Sequence, residues 1–202
     1  FPWFNDDKEP IYWWSPKIRG VLRPGQMRTP RSLHKRIRNG GFQTTVDTNF
    51  QAVIQACATA PRTDQDGTWI TQRMQSAYNV LFERGIAHCV EVWQDGALVG
   101  GLYGIALGQM FFGESMFSRV PDGSKVAFFH LQQRLAKDGY RLIDCQMMNP
   151  HLETMGVQPM AREEFLGRLR TNRKQPTNIG SWSWSTAKLT TKATEVTKDK
   201  SP

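Results

Sequence analysis

The sequence predicts an α+β domain with a mixed sheet flanked by helices. Three observations point there: two amphipathic helical stretches near the middle, an alternating meander closed by an Asp-Gly turn, and a helix followed by one more apolar strand. The 202 residues, 39% hydrophobic and 22% charged, suffice for one full core of about 150 to 170 residues with short extensions.

The elements follow in order. Asp47 to Thr59 reads as a helix, with Phe50, Val53, Ile54 and Cys57 on one face, and Ile70 to Arg84 as a second, stopped by Gly85. His88 to Trp93 alternates as a strand, Asp95-Gly96 turns the chain, and Ala97 to Ala106 returns beside it. Met110 to Phe112 completes the meander. Ser124 is placed to cap a helix with Phe128, Leu131 and Leu135 on one face, ending at Asp138-Gly139, after which Tyr140 to Gln146 is an apolar strand and Ala161 to Arg170 a short helix. This order matches acyltransferase-like (GNAT-like) folds. The organisation expected is a partial N-terminal lobe with a basic segment over 1–40, a catalytic domain over 41–170, and a tail over 171–202, rich in Ser, Thr and Lys, that composition marks as disordered.

Charge narrows the partners. Lys and Arg outnumber Asp and Glu by 26 to 18, a net charge of +8, and a basic balance favours a polyanion. Residues 17–38 hold Lys17, Arg19, Arg23, Arg28, Arg31, Lys35, Arg36 and Arg38 and no acid. No apolar run is long enough for a membrane helix, and no signal-peptide pattern opens the chain. A cytoplasmic protein without membrane partners is expected. Phe1 followed by a dense aromatic run suggests a start inside a longer protein. The three cysteines form no metal-ligand spacing, so free thiols and no metal are expected.

Two carboxylates stand out. Asp144 and Gln146 lie two apart in an apolar strand and would leave the same face, a carboxylate beside an amide. The plainer reading is a structural hydrogen bond at a strand end. Glu114 follows Gly113 just past a strand and could anchor a cation or an amine, or simply pair with an arginine. Leu102, Phe111, Phe128, Leu131 and Leu135 are either core or the lining of a side-chain pocket, core being the simpler reading. His88, His130 and His151 have no nucleophile at a recognisable elbow. No Walker A, GxGxxG or Q/R-x-x-G-x-G/A phosphate loop occurs, which argues against coenzyme A and toward another acyl carrier, RNA.

Specific motifs then give a family resemblance. Phe1-Pro2-Trp3-Phe4, Trp13-Trp14-Ser15-Pro16, Gly67-Thr68-Trp69-Ile70, Ala87-His88 with Glu91-Val92-Trp93, Leu98 to Gly101, Gly113 to Ser118, Ser124-Lys125 and Leu142 to Gln146 together resemble the leucyl/phenylalanyl-tRNA-protein transferases. The resemblance implies transfer of Leu, Phe or, less, Met from aminoacyl-tRNA to proteins beginning with Arg or Lys, which marks them for N-end-rule degradation, without cofactor or metal. It implies catalytic roles for Asp144, Gln146 and Glu114, contacts of Trp3 and Trp69 with the 3′-terminal adenosine, and an aminoacyl pocket of Leu102, Phe111, Phe128, Leu131 and Leu135. Arg28, Arg31, Lys35 and Arg36 would hold the tRNA backbone. A monomer is expected. The alternatives are an aminoacyl-tRNA-dependent transferase with another amine acceptor and a non-catalytic tRNA-binding remnant.

Overall fold

The computed structural model describes residues 1–3, 10–61 and 68–182; of Trp3 it describes the backbone. Its elements in chain order are β1 (Pro2–Trp3), β2 (Tyr12–Trp13), β3 (Ile18–Leu22), α1 (Arg31–Asn39), β4 (Gln43–Val46), α2 (Phe50–Thr59), α3 (Gln72–Glu83), β5 (Ala87–Gln94), β6 (Ala97–Leu107), β7 (Met110–Ser118), α4 (Gly123–Lys137), β8 (Leu142–Asp144), α5 (Pro150–Thr154), β9 (Gln158–Ala161) and α6 (Arg162–Asn172). Seven strands form one mixed sheet in the order β4-β5-β6-β7-β8-β3-β9, and β1 pairs with β2 apart from it. This is the expected acyltransferase-like arrangement, an antiparallel meander joined through α4 to a parallel β8.

Alternation divides the core. Val90 and Val92 of β5 face a layer with Val126, Phe128, Leu131 and Leu135 of α4. Ala87 and Cys89, at the alternate positions of the strand, face Phe50, Val53 and Ile54 of α2 with Met74 and Tyr78 of α3. A residue's neighbour on the strand thus belongs to the opposite helix layer, as the two-residue period of a strand requires.

Several local expectations change. The first helix starts at Phe50, not Asp47: Asn49 caps it by accepting from the Ala52 N–H, and Asp47 takes a left-handed turn with φ 54°. Ser124 is not the cap of α4 either. Asp122 holds that position without a side-chain bond, while Ser118 at the end of β7 accepts from the Ser124 N–H at 2.7 Å. The third meander strand continues to Ser118, and the apolar strand at 140–146 shrinks to Leu142–Asp144.

The expected division at residue 40 does not divide the sheet. β3 comes from the basic segment yet lies between β8 and β9, Val21 opposite Asp144 and Ile18 opposite Ala161. The expected disorder from 171 is likewise corrected as far as 182. Asn172 donates to the Leu107 carbonyl and accepts from the Gln109 N–H, Thr177 accepts from the Gly108 N–H, and Gly180 donates to the Gly85 carbonyl. Trp182 is buried. The rest of the tail, 183–202 with Trp184, lies outside the described residues.

Candidate active site

The site forms where β7 and β8 part. The two strands are paired in parallel only through Met110–Leu142, Phe111–Ile143 and Phe112–Asp144. Beyond that point β7 continues and β8 ends. On the other side of β7, Gly113 pairs with Gly104 and Ser115 with Tyr103, which leaves Glu114 as an extra residue against β6. A bulge of this kind re-aims a side chain. On the β8 side the backbone turns at Gln146, which adopts φ 64°. That left-handed conformation is uncommon for a residue with a side chain, and the Gln146 N–H is held by Asp144 Oδ1 at 2.9 Å.

The turn brings the predicted residues together in a way the strand spacing did not foresee. Asp144 and Gln146 are not two side chains presented side by side. The Asp144 carboxylate faces Arg19, whose Nε donates to Oδ1 at 2.8 Å and whose Nη2 donates to Oδ2 at 2.7 Å. The Gln146 amide instead crosses the gap and donates from Nε2 to Glu114 Oε2 at 2.9 Å. Asp144 is 1% exposed, and a charge so placed needs a partner. Arg19 supplies it in bidentate form, with its guanidinium also lying over the rings of Phe1 and Phe165 at 4.7 and 4.8 Å.

Glu114 has a different environment. It keeps some contact with solvent, but protein atoms surround it on most sides. Burial is the main reason its carboxyl is pushed up from an ordinary 4.5 to about 7; a hydrogen bond from Tyr78 works against that rise, and the negative Asp144 adds to it. The Tyr78 phenol is raised in turn, first by burial and then by Glu114. Glu114 thus changes charge near neutrality. Cys89 and Cys145 are no candidates for a nucleophile, because burial first and then Glu91 and Asp144 respectively push their thiols up.

Arg19 and Tyr78 were missed by the sequence reading as members of this cluster. The sequence reads Arg19 as one of the eight basic residues of 17–38, although Ile18-Arg19-Gly20-Val21-Leu22 is an apolar segment with one charge inside it. Tyr78 sits on the buried face of α3 and carries no sequence mark of its own.

The other predicted residues fall in three places. Trp69 packs edge-on to Tyr78, ring centroids 6.4 Å apart, and so stands next to the cluster. Trp3 lies on β1 opposite Tyr12. Leu102, Phe111, Phe128, Leu131 and Leu135 are all buried in the α4-side layer. Arg28, Arg31 and Lys35 are exposed, the last two one turn apart on α1, while Arg36 donates to the Pro121 carbonyl and lies 3.8 Å from Asp122. Two clefts, one of about 360 Å³ beside α2 and one of about 470 Å³ between α6 and the start of β8, involve none of the predicted residues. Among the described residues no three His, Cys, Asp or Glu side chains are grouped to hold a metal, and no helix is long and apolar enough to cross a membrane.

Comparison with known proteins gives a consistent result. The family model for leucyl/phenylalanyl-tRNA protein transferase matches residues 21–170. A leucyl/phenylalanyl-tRNA–protein transferase of Thiobacillus denitrificans is 53% identical over 184 residues, covering 91% of this chain and 80% of that protein. One from Nitrosospira multiformis is 54% identical, covering 84% of this chain and 72% of that protein. Among solved structures, a conserved protein of unknown function from Bacteroides thetaiotaomicron superposes with a TM-score of 0.52 at 13% identity, over 82% of this chain and 58% of that one, a likeness of fold alone.

Proposed function

This chain belongs to the leucyl/phenylalanyl-tRNA protein transferase family, and from that premise we propose that it moves Leu or Phe, and less readily Met, from aminoacyl-tRNA to the α-amino group of proteins that begin with Arg or Lys, marking them for N-end-rule degradation. It acts in the cytoplasm as a monomer. The observation that carries the reading is the linked set Arg19–Asp144–Gln146–Glu114 across the gap between β7 and β8.

The chemistry asks little of the protein beyond placement, because an aminoacyl ester is already activated. The incoming α-ammonium must lose a proton before its nitrogen can attack the ester carbonyl. Asp144 is a poor acceptor for it: both its oxygens already accept from Arg19, and Oδ1 also from the Gln146 N–H. Glu114, near neutrality and reachable from solvent, takes that proton. The nitrogen then forms a bond to the carbonyl carbon, the carbon–oxygen bond to the ribose breaks, the second proton of the nitrogen passes to the released ribose oxygen, which leaves as a hydroxyl, and Glu114 gives the first proton up to solvent. Gln146 fixes the Glu114 carboxylate, and Asp144 fixes Gln146.

Trp69 and Trp3 take the terminal adenosine, a reading supported for Trp69 by its packing beside Tyr78. The five apolar residues of the α4-side layer receive the aminoacyl side chain. Arg28, Arg31, Lys35 and Arg36 hold the acceptor stem by its phosphates, largely without regard to base sequence.

The test is transfer of labelled leucine from leucyl-tRNA to a peptide beginning with Arg, beside one beginning with Leu. Labelling of the Arg peptide alone is expected. Labelling of both sinks the acceptor assignment, and no labelling with tRNA still bound sinks the catalytic one.

A further inference from the structure

The five apolar residues to which the proposed function gives the aminoacyl side chain pack with a further large ring that belongs to no predicted site. Trp182, from the segment after α6, is 8% exposed and lies in the same buried layer as Leu102, Phe111, Phe128, Leu131 and Leu135. Its ring centroid is 6.0 Å from that of Phe111, and Tyr140 packs edge-on to it at 6.1 Å.

The seat of this tryptophan is polar and rigid. Its ring stacks on His88 at 3.8 Å between centroids and 5° between planes, and its backbone N–H donates to Asp47 Oδ2 at 2.8 Å. Asp47 Oδ2 also lies 2.8 Å from His88 Nδ1, and its Oδ1 accepts from the Cys89 N–H. One carboxylate therefore fixes both the imidazole under the indole and the chain that carries it. Upstream, Gly180 is bonded to Gly85, and a Cβ at Gly85 would fall 2.6 Å from Gly180 Cα, so the segment is pressed against the body of the protein.

The sheet leaves room for the Phe111 ring to be positioned from behind. His88 pairs with Gly104, and Gly104 with Gly113, so two of three residues in this row have no side chain. Phe111 fills the space: a Cβ at Gly104 would fall 2.6 Å from its Cε1 and Cζ. Gly113, two residues further along β7, precedes Glu114.

We propose that Trp182 is a positioning residue for the aminoacyl pocket: seated on the Asp47–His88 pair, it backs the Phe111 ring and so sets the largest side chain the donor may carry. This rests on the transfer reaction proposed above. Removing the indole lets Phe111 retreat, which favours larger side chains over leucine, since a hydrophobic pocket discriminates by volume.

The experiment measures transfer from three donors, tRNA charged with leucine, phenylalanine or 2-naphthylalanine, by the wild type, Trp182→Phe and Trp182→Leu. The phenylalanine-to-leucine and naphthylalanine-to-leucine ratios are read, because a ratio is independent of how much of a variant folds. Trp182→Leu should raise the naphthylalanine ratio about tenfold or more, and Trp182→Phe should stay near the wild type. Wild-type transfer with the same ratios in both variants overturns the inference and leaves the parent reading standing. A wild type that transfers from none of the donors overturns the parent reading, and the inference with it.

Discussion

Two clusters of acidic residues in this protein differ in how completely they are satisfied. Glu91 is 0% exposed, and its carboxylate accepts from Thr45 Oγ1, from the backbone N–H groups of Thr48 and Asn49, and from the Cys89 thiol. Its neighbour Asp47 accepts from two backbone N–H groups, those of Cys89 and Trp182, and contacts His88. These carboxylates tie β4, β5, the start of α2 and the C-terminal segment together. Glu114 and Asp144 form the other cluster. There the donors are mostly side chains, Arg19, Gln146 and Tyr78, and Glu114 stays at the open edge of the sheet. Backbone donors are fixed by the fold, whereas side-chain donors can exchange partners for a substrate. Completeness of backbone satisfaction thus separates the two clusters.

The most severe way to break the comparison is Asp144→Ala. It leaves the Arg19 guanidinium buried without its partner, and loss of one member of a buried pair costs about 3–5 kcal/mol. It also releases the Gln146 backbone from its left-handed turn. Urea unfolding should show the stability loss, and leucine transfer per folded molecule should fall at least about a hundredfold. Transfer near the wild-type level would remove Asp144 from the site. Glu91→Gln is its counterpart on the structural side. Oε1 serves three donors and Oε2 the Thr45 and Thr48 hydroxyls; an amide accepts through only one atom and must donate through the other, so at least two donors lose their acceptor, at about 1–3 kcal/mol. Transfer per folded molecule should be unchanged, and a selective loss of transfer would erase the distinction between the clusters.

The clusters were unequally legible in the sequence, for physical reasons. The helices α2, α3 and α4 and the β5–β6 hairpin carry clear periodicity and an Asp-Gly turn, because each buries one face on local spacing. Asp144, Gln146 and Glu114 stood out as polar residues in apolar surroundings. What joins them did not, because β3 contributes Arg19 from a segment 125 residues away in sequence, and no local pattern encodes that pairing. β9 was hidden by Pro159 and its brevity, and α1 by a surface so basic that only Leu33 is buried. The sequence reads Glu114 as lying just past a strand, behind a glycine. The bulge keeps β7 running and turns the glycine into part of the device that aims the carboxylate. Trp182 was one aromatic in an unpatterned tail, and its burial depends on His88 and Asp47, neither of which signals a docking site.

A milder test separates the chemistry of Glu114 from its setting. Glu114→Gln retains an acceptor for the Gln146 amide but cannot take a proton, so transfer should fall about a hundredfold or more. In the wild type the rate should rise with pH through about 7 as Glu114 ionises, and that rise should vanish in the variant. A pH–rate profile of the same shape in both would move the proton acceptor elsewhere, the ribose hydroxyl being the next group in reach of the reaction.

The smallest effect expected is on stability, and its sign is diagnostic. Glu114 titrates near 7 in the folded protein against an ordinary value of 4.5. Between those values the folded state keeps a proton that the unfolded chain has released. Raising the pH therefore favours unfolding, and the stability held by the proton, full below about 4.5, is lost as pH climbs through 7. A glutamine at 114 is neutral throughout. Glu114→Gln should match the wild type near pH 4.5 and exceed it above pH 7 by roughly 1–3 kcal/mol, read from urea midpoints at several pH values. Glu91→Gln, in a site whose two oxygens both accept hydrogen bonds, should be less stable than the wild type at pH 8. Opposite signs for the two Glu→Gln changes at pH 8 would establish that one acid is strained by its charge and the other is held by it; the same sign for both would collapse the two clusters into one kind.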